Sequence, residues 1–124
     1  MPFDIAIVID NETVAAELND SDTALAIVDA LPIETGFSTW GDEIYFSIPV
    51  KVGIEDGKSV VDMGELGYWP PGNAFCIFYG ATPGSTADEI RPASPVNPIG
   101  RVKDDPSIFR QLAGRSSSVR VEMV

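Results

Sequence analysis

Histidine is absent from this chain, which removes Ser-His-Asp and Cys-His catalysis, His-ligated zinc and His-held haem from consideration. A single cysteine, Cys76, excludes an internal disulfide and a Cys-rich metal site. Its neighbours are Phe75 and Ile77, so it reads as core packing in a reducing compartment, and an apolar setting raises a thiol pKa and disfavours a reactive thiolate. Basic residues are scarce: eight Lys and Arg face nineteen Asp and Glu, a formal charge of −11. Such a surface repels phosphate backbones, so no nucleic-acid partner is expected. Long apolar runs are missing too. The longest, residues 5–9 and 74–79, fall far short of the roughly 20 residues that span a bilayer. No membrane partner is expected. The first four residues, Met1-Pro2-Phe3-Asp4, lack the basic start and apolar stretch of a secretory signal, which points to the cytoplasm.

What remains is 124 residues, 44% of them apolar and 22% charged, the size and balance of one globular domain over 1–124. The acid is uneven. Residues 1–65 carry fourteen of the acids against only Lys51 and Lys58, while Arg91, Arg101, Lys103, Arg110, Arg115 and Arg120 are scattered through the rest. One reading is ordinary solvation of exposed faces; the other is attraction of a cationic ligand or a basic partner surface.

Periodicity assigns most of the chain to strands. Phe3, Ile5, Ile7 and Ile9 alternate with Asp4, Ala6, Val8 and Asp10, the two-residue period of a strand. A second strand, 14–18, follows a turn at residues 10–12. The oxygens of Asp20, Ser21 and Asp22 can cap a helix, and Ala24, Ile27, Val28 and Leu31 then form one apolar helical stripe that Pro32 stops. Residues 35–40 and 43–50 are strands separated by the two-residue turn Gly41-Asp42. In the second of them Ile44, Phe46, Ile48 and Val50 share one face, and Glu43, Tyr45 and Ser47 the other. Residues 65–69 and 75–79 are strands joined through Pro70-Pro71-Gly72-Asn73. Residues 107–112 form a helical turn or two ended by Gly114, and 119–123 is the last strand. Residues 80–98 hold four prolines and little periodicity, which predicts a long rigid loop packed on the sheet. Seven or eight short strands and one clear helix describe a small barrel or sandwich, the helix covering an open end.

Three stretches taken together, residues 40–46 (Trp-Gly-Asp-Glu-Ile-Tyr-Phe), 67–74 (Gly-Tyr-Trp-Pro-Pro-Gly-Asn-Ala) and 88–102 (starting Asp-Glu-Ile-Arg-Pro), resemble a family of small prokaryotic proteins of uncharacterised function with a cyclophilin-like fold. The resemblance covers most of the chain. It implies a closed eight-stranded antiparallel β-barrel with one main helix and a short second one. True cyclophilins isomerise X-Pro bonds against a barrier of roughly 18–20 kcal/mol, using an arginine on a barrel strand to weaken amide resonance beside an apolar pocket. Residues 43–50, the corresponding edge, contain no arginine, and no counterpart of the phrase around that arginine occurs. No catalytic residue is therefore carried over, because a fold does not bring its activity with it.

The candidate site residues are Glu43, Tyr45, Tyr68, Trp69, Arg91, Ser94 and Asn97. Arg91 either forks onto loop carbonyls or the Asp88-Glu89 carboxylates, or points into a groove to bind a carboxylate or peptide carbonyl. Ser94 and Asn97 either add polar contacts there or satisfy their own turns. Tyr68 and Trp69, like Trp40, either seal the barrel or wall a pocket. Asp42 and Glu43 are adjacent on a strand and so point to opposite faces, which makes them a poor acid–base pair. No metal or cofactor is expected: the carboxylates lack EF-hand spacing. The expected function is non-catalytic binding of a small molecule or peptide segment in a groove walled by residues 43–50, 68–69 and 91–97. The alternatives are a prolyl isomerase with an atypical site and a subunit acting through a homodimeric or partner interface.

Overall fold

The computed structural model describes residues 2–86 and 88–124; Met1 and Ala87 lie outside the described residues. Strand β1 (Phe3–Ile9) turns into β2 (Glu12–Leu18) through Asp10 and Asn11. Both turn residues have positive φ, 53° and 63°, the geometry that Asn and Asp tolerate and that matches the twist of a two-residue hairpin. Ile5 lies opposite Ala16 and Ile7 opposite Val14, and these four, with Ile9 and Leu18 at the two ends of the hairpin, are buried in the interior. Each such isoleucine contributes about 1.5–3 kcal/mol by leaving water.

Helix α1 (Asp22–Ala30) starts where the capping residues predict: Ser21 Oγ accepts from Ala24 N at 3.2 Å. The Glu55 carboxylate adds a second cap, accepting from Thr23 N at 2.9 Å and Asp22 N at 3.2 Å. The Thr23 hydroxyl also donates to Glu55 Oε1, at 2.7 Å; this bond first, and the backbone N–H bonds after it, hold the Glu55 pKa below the ordinary value. The remaining strands are β3 (Ile33–Gly36), β4 (Ser38–Thr39), β5 (Glu43–Ser47), β6 (Glu65–Trp69), β7 (Ala74–Phe78), β8 (Asn97–Val102) and β9 (Ser118–Met123), with α2 (Ile108–Ala113) before β9.

All pairings are antiparallel, in the order β3-β9-β1-β2-β8-β6-β7-β5-β4. The two ends of that order, β3 and β4, are consecutive in sequence with only Phe37 between them. One bent segment thus pairs with β9 on one side and β5 on the other, and the chain itself carries the sheet round into a nearly closed barrel. Counted as one, the two make the eight expected walls; counted apart, they make nine strands. Ala24 and Ile27 of α1 and Phe109 and Leu112 of α2 belong to the same buried cluster as the inward residues of the strands. Since the sheet wraps that cluster, the helices reach it through the barrel's openings.

The sequence reading missed β8. Pro98 and Gly100 argue against a strand, yet both sit at an irregularity: Leu66 pairs with Gly100 and Gly67 with Pro98, leaving Ile99 as the extra residue of a bulge. The predicted loop is therefore 80–96 rather than 80–98. That segment covers the outer face of β5, β7 and β6. Beneath it Val61, Ala74, Cys76, Phe78 and Val96 form a second, smaller core, with Tyr45, Trp69 and Ile90 packed against it. Strand β7 is buried on both faces, which is why it reads as an unbroken apolar run.

Candidate functional site

Tyr45 and Trp69, packed on the second core, also line a cleft open to solvent. The turn Gly41-Asp42 joins β4 to β5, with Trp40 N donating to Glu43 O at 2.9 Å. Gly41 has φ +62°, and a Cβ there would lie 2.9 Å from Ala81 O, Thr82 Cα and Pro83 Cδ. Only glycine lets residues 81–83 lie this close. Asp42 N donates to Ala81 O at 2.9 Å, Tyr79 N to Asp42 O at 3.0 Å, and Arg110 Nη2 to Asp42 Oδ2 at 2.7 Å. So anchored, the turn presents Trp40 beside the outward face of β5.

Glu43 and Tyr45 occupy that outward face, and Trp69 extends it at the end of β6. Together with Trp40, Pro92 and Ala93 they line a cavity of about 180 Å³. Trp69 Nε1 donates to Ser94 Oγ at 2.6 Å, which ties the indole to the covering segment. Thr82 Oγ1 donates to Arg91 O, and Ser85 Oγ accepts from Arg91 N at 3.1 Å. These bonds fix the backbone just before Pro92.

Glu43 is 6% exposed and has no ion pair among the described residues. Loss of water raises its carboxyl from the ordinary 4.5 to about 7, against a partial pull back down from the Cys76 thiol. Tyr45 pairs with Cys76 across β5 and β7, so the thiol lies under the same face. Burial first, and the Glu43 charge second, push Cys76 well above the usual thiol range. It stays a thiol and serves as a hydrogen-bond donor.

The other candidates lie elsewhere. Arg91 lines a neighbouring hollow of about 420 Å³ with Ser59, Ser94 and Pro95. Its Nε and Nη2 fork onto Glu89 Oε2 at 3.0 and 2.6 Å. Tyr68 points into the barrel, where its hydroxyl donates to Val50 O at 2.6 Å and accepts from Val52 N at 3.4 Å. Asn97 is fully buried. It donates to Gly53 O at 2.9 Å and Thr23 Oγ1 at 3.1 Å and accepts from Glu55 N at 2.7 Å, pinning residues 53–55 to α1. The cleft thus gathers Glu43, Tyr45 and Trp69, with Ser94 behind Trp69, and leaves Arg91, Tyr68 and Asn97 outside. It adds Trp40, Pro92 and Ala93, and Cys76 beneath, which the candidate set omits. The shared face of Glu43 and Tyr45 was readable from alternation. The β5–β7 register that puts Cys76 under them was not.

No group of three or more His, Cys, Asp or Glu is placed to hold a metal ion among the described residues. No helix among them is long and apolar enough to cross a membrane.

A nearly closed antiparallel barrel with helices at its openings and an aromatic cleft on its outer wall is a cyclophilin-like architecture. The family model described as cyclophilin-like matches residues 3–122, and the chain belongs to that family. The solution structure of the hypothetical protein AF2241 from Archaeoglobus fulgidus is similar at 38% identity and a TM-score of 0.75, covering 98% of this chain and 95% of that one. No curated protein matches the chain.

Proposed function

We propose that this protein is a binding module that takes a small ligand or peptide segment in the cleft of Trp40, Glu43, Tyr45, Trp69, Pro92 and Ala93. The observation that carries the reading is Glu43, a buried carboxyl on the wall of an open aromatic cleft, with no ion pair among the described residues. A buried, perturbed acid is costly to maintain, and such groups concentrate at functional sites. The rings around it offer apolar surface while the carboxyl fixes orientation, the usual division of labour in a ligand pocket. Catalysis is not part of the proposal. The lining holds no guanidinium to act on a prolyl nitrogen; Arg91, in the adjoining hollow, is forked onto Glu89, and Arg110 is bonded to Asp42.

Both tryptophans of the chain, Trp40 and Trp69, line the cleft, so their indole N–H signals in a nitrogen-15 spectrum report on it directly. Screening a metabolite and peptide library by NMR should yield compounds that shift both indoles in a saturable way. Ligands whose shifts map to other faces would refute the placement. A protease-coupled assay on an Ala-Pro peptide should show the uncatalysed rate only; a faster rate would replace the binding module with an isomerase.

A further inference from the structure

We infer that the group the cleft selects is an alkylated ammonium cation, an inference that rests on the cleft being the binding site. Three aromatic side chains from three separate segments, Trp40 before β5, Tyr45 within it and Trp69 at the end of β6, surround one carboxyl. Aromatic faces carry negative potential, and tryptophan attracts cations most strongly. The carboxyl in the lining is that of Glu43, and no basic residue is among the lining residues. Arg91 lies in an adjoining hollow that shares Trp40, Pro92 and Ala93 with the cleft, and its charge is met by Glu89; Arg110, beside the Gly41-Asp42 turn, is met by Asp42. A cation would therefore meet four attractive groups and no repulsive one.

Size narrows the ligand further. A cavity of about 180 Å³ is smaller than the roughly 300–1,000 Å³ that accommodates drug-sized molecules. It suits a compact headgroup or a single side chain. A primary ammonium would surrender three hydrogen bonds to water and find one carboxylate in return. An alkylated ammonium is weakly hydrated and presents methyl groups to the rings, so it loses less on entry. A neutral proline ring would fill the same space but leave the carboxyl without a counter-charge. The net charge of −11 adds a long-range field that draws cations toward the surface.

Entry of a cation favours the carboxylate and releases its proton to solvent. The titratable groups facing Glu43 are Cys76 on β7 and Tyr45 on its own strand. The covering segment contributes Pro92 and Ala93, which do not titrate. Asp42, next in sequence, is turned toward Arg110, and Glu65 on β6 is held by Lys58. Glu43 is thus the group whose ionisation binding should follow.

The test compares choline with its neutral carbon isostere 3,3-dimethylbutanol, reading the two indole signals at pH 6 and pH 8.5. Choline should bind roughly tenfold tighter than the isostere, and tighten by up to about tenfold between the two pH values as Glu43 ionises. Glu43→Gln should abolish that pH dependence. Trp40→Leu should weaken choline more than the isostere, which keeps the test informative if the first variant misfolds. A peptide bearing trimethyllysine, set against its unmodified twin and against tetramethylammonium chloride, separates the two sources of the headgroup. Tighter peptide binding assigns a methylated protein side chain, and equal binding assigns a free solute. Equal affinity for choline and isostere would overturn the inference. So would silence of both indoles toward all the cations; if other library compounds still move them, the cleft stands as a site with a different ligand class, and if none does, both readings fall.

Discussion

Glu43 is a carboxyl that folding carries to a place where its charged form is disfavoured. Its pKa rises from 4.5 to about 7, so between those values the folded chain holds a proton that the unfolded chain has released. The stability this contributes is complete below about pH 4.5 and is lost as pH climbs through 7, a swing of about 3 kcal/mol. Urea denaturation of wild type and Glu43→Gln at pH 4.5 and pH 8 should show the difference between them moving by that amount in the variant's favour. A constant difference would mean that Glu43 titrates as an exposed acid does. Asn97 is the opposite kind of buried polar residue, with donors and acceptor all engaged. Asn97→Ala would strand Glu55 N and Gly53 O and should cost about 2–4 kcal/mol in the same measurement. At this scale the sequence was informative about facing and silent about partners. Alternation put Glu43 and Tyr45 on one side of their strand, but the partners of Arg91 and Asn97 come from loops and strands that only the folded chain brings near.

Most elements followed from local chemistry. The Asp10-Asn11 hairpin, the Ser21 cap, the Pro32 stop and the Gly41-Asp42 turn each have a side chain or a φ that explains them within a few residues. Strand β8 did not, because its pairing depends on contacts far along the chain. Pro98 fits only because the bulge at Ile99 relieves the ladder there. Gly100 fits because Glu17 lies so close that a Cβ would overlap the carbonyl oxygen of Glu17. Gly100→Ala should therefore separate β8 from β2 and cost more than about 3 kcal/mol, seen as lost amide protection at residues 16–18 and 100–102 in hydrogen exchange. Retained protection with unchanged stability would show that this contact is loose. The covering segment was legible as a rigid proline-rich loop. That it would build a second core over β7, and leave a cleft at its edge, depends on Val61 and Val96 meeting across 35 residues of sequence.

Over the whole molecule the excess of acid is the dominant electrostatic fact. Among the described residues, seven of the eight basic side chains form ion pairs, including Lys103–Asp4 at 2.8 Å and the loose Arg115–Asp10 at 3.9 Å. Most have at least one partner well exposed, and exposed pairs contribute roughly 0–1 kcal/mol each. Their loss to screening should be outweighed by relief of repulsion among the surplus carboxylates. Raising the ionic strength from about 0.01 M to 0.15 M shortens the Debye length from about 30 to 8 Å, and the melting temperature should rise by about 2–5 °C. A fall would mean that the pairs matter more than the net charge. The barrel, the turn at Gly41 and the covering segment all converge on one consequence, a carboxyl kept from water inside an aromatic cleft. Carbon-13 NMR of the Glu43 side-chain carboxyl, followed from pH 3 to pH 9, measures it directly. The account predicts a midpoint close to 7, and a midpoint near 4.5 would contradict it.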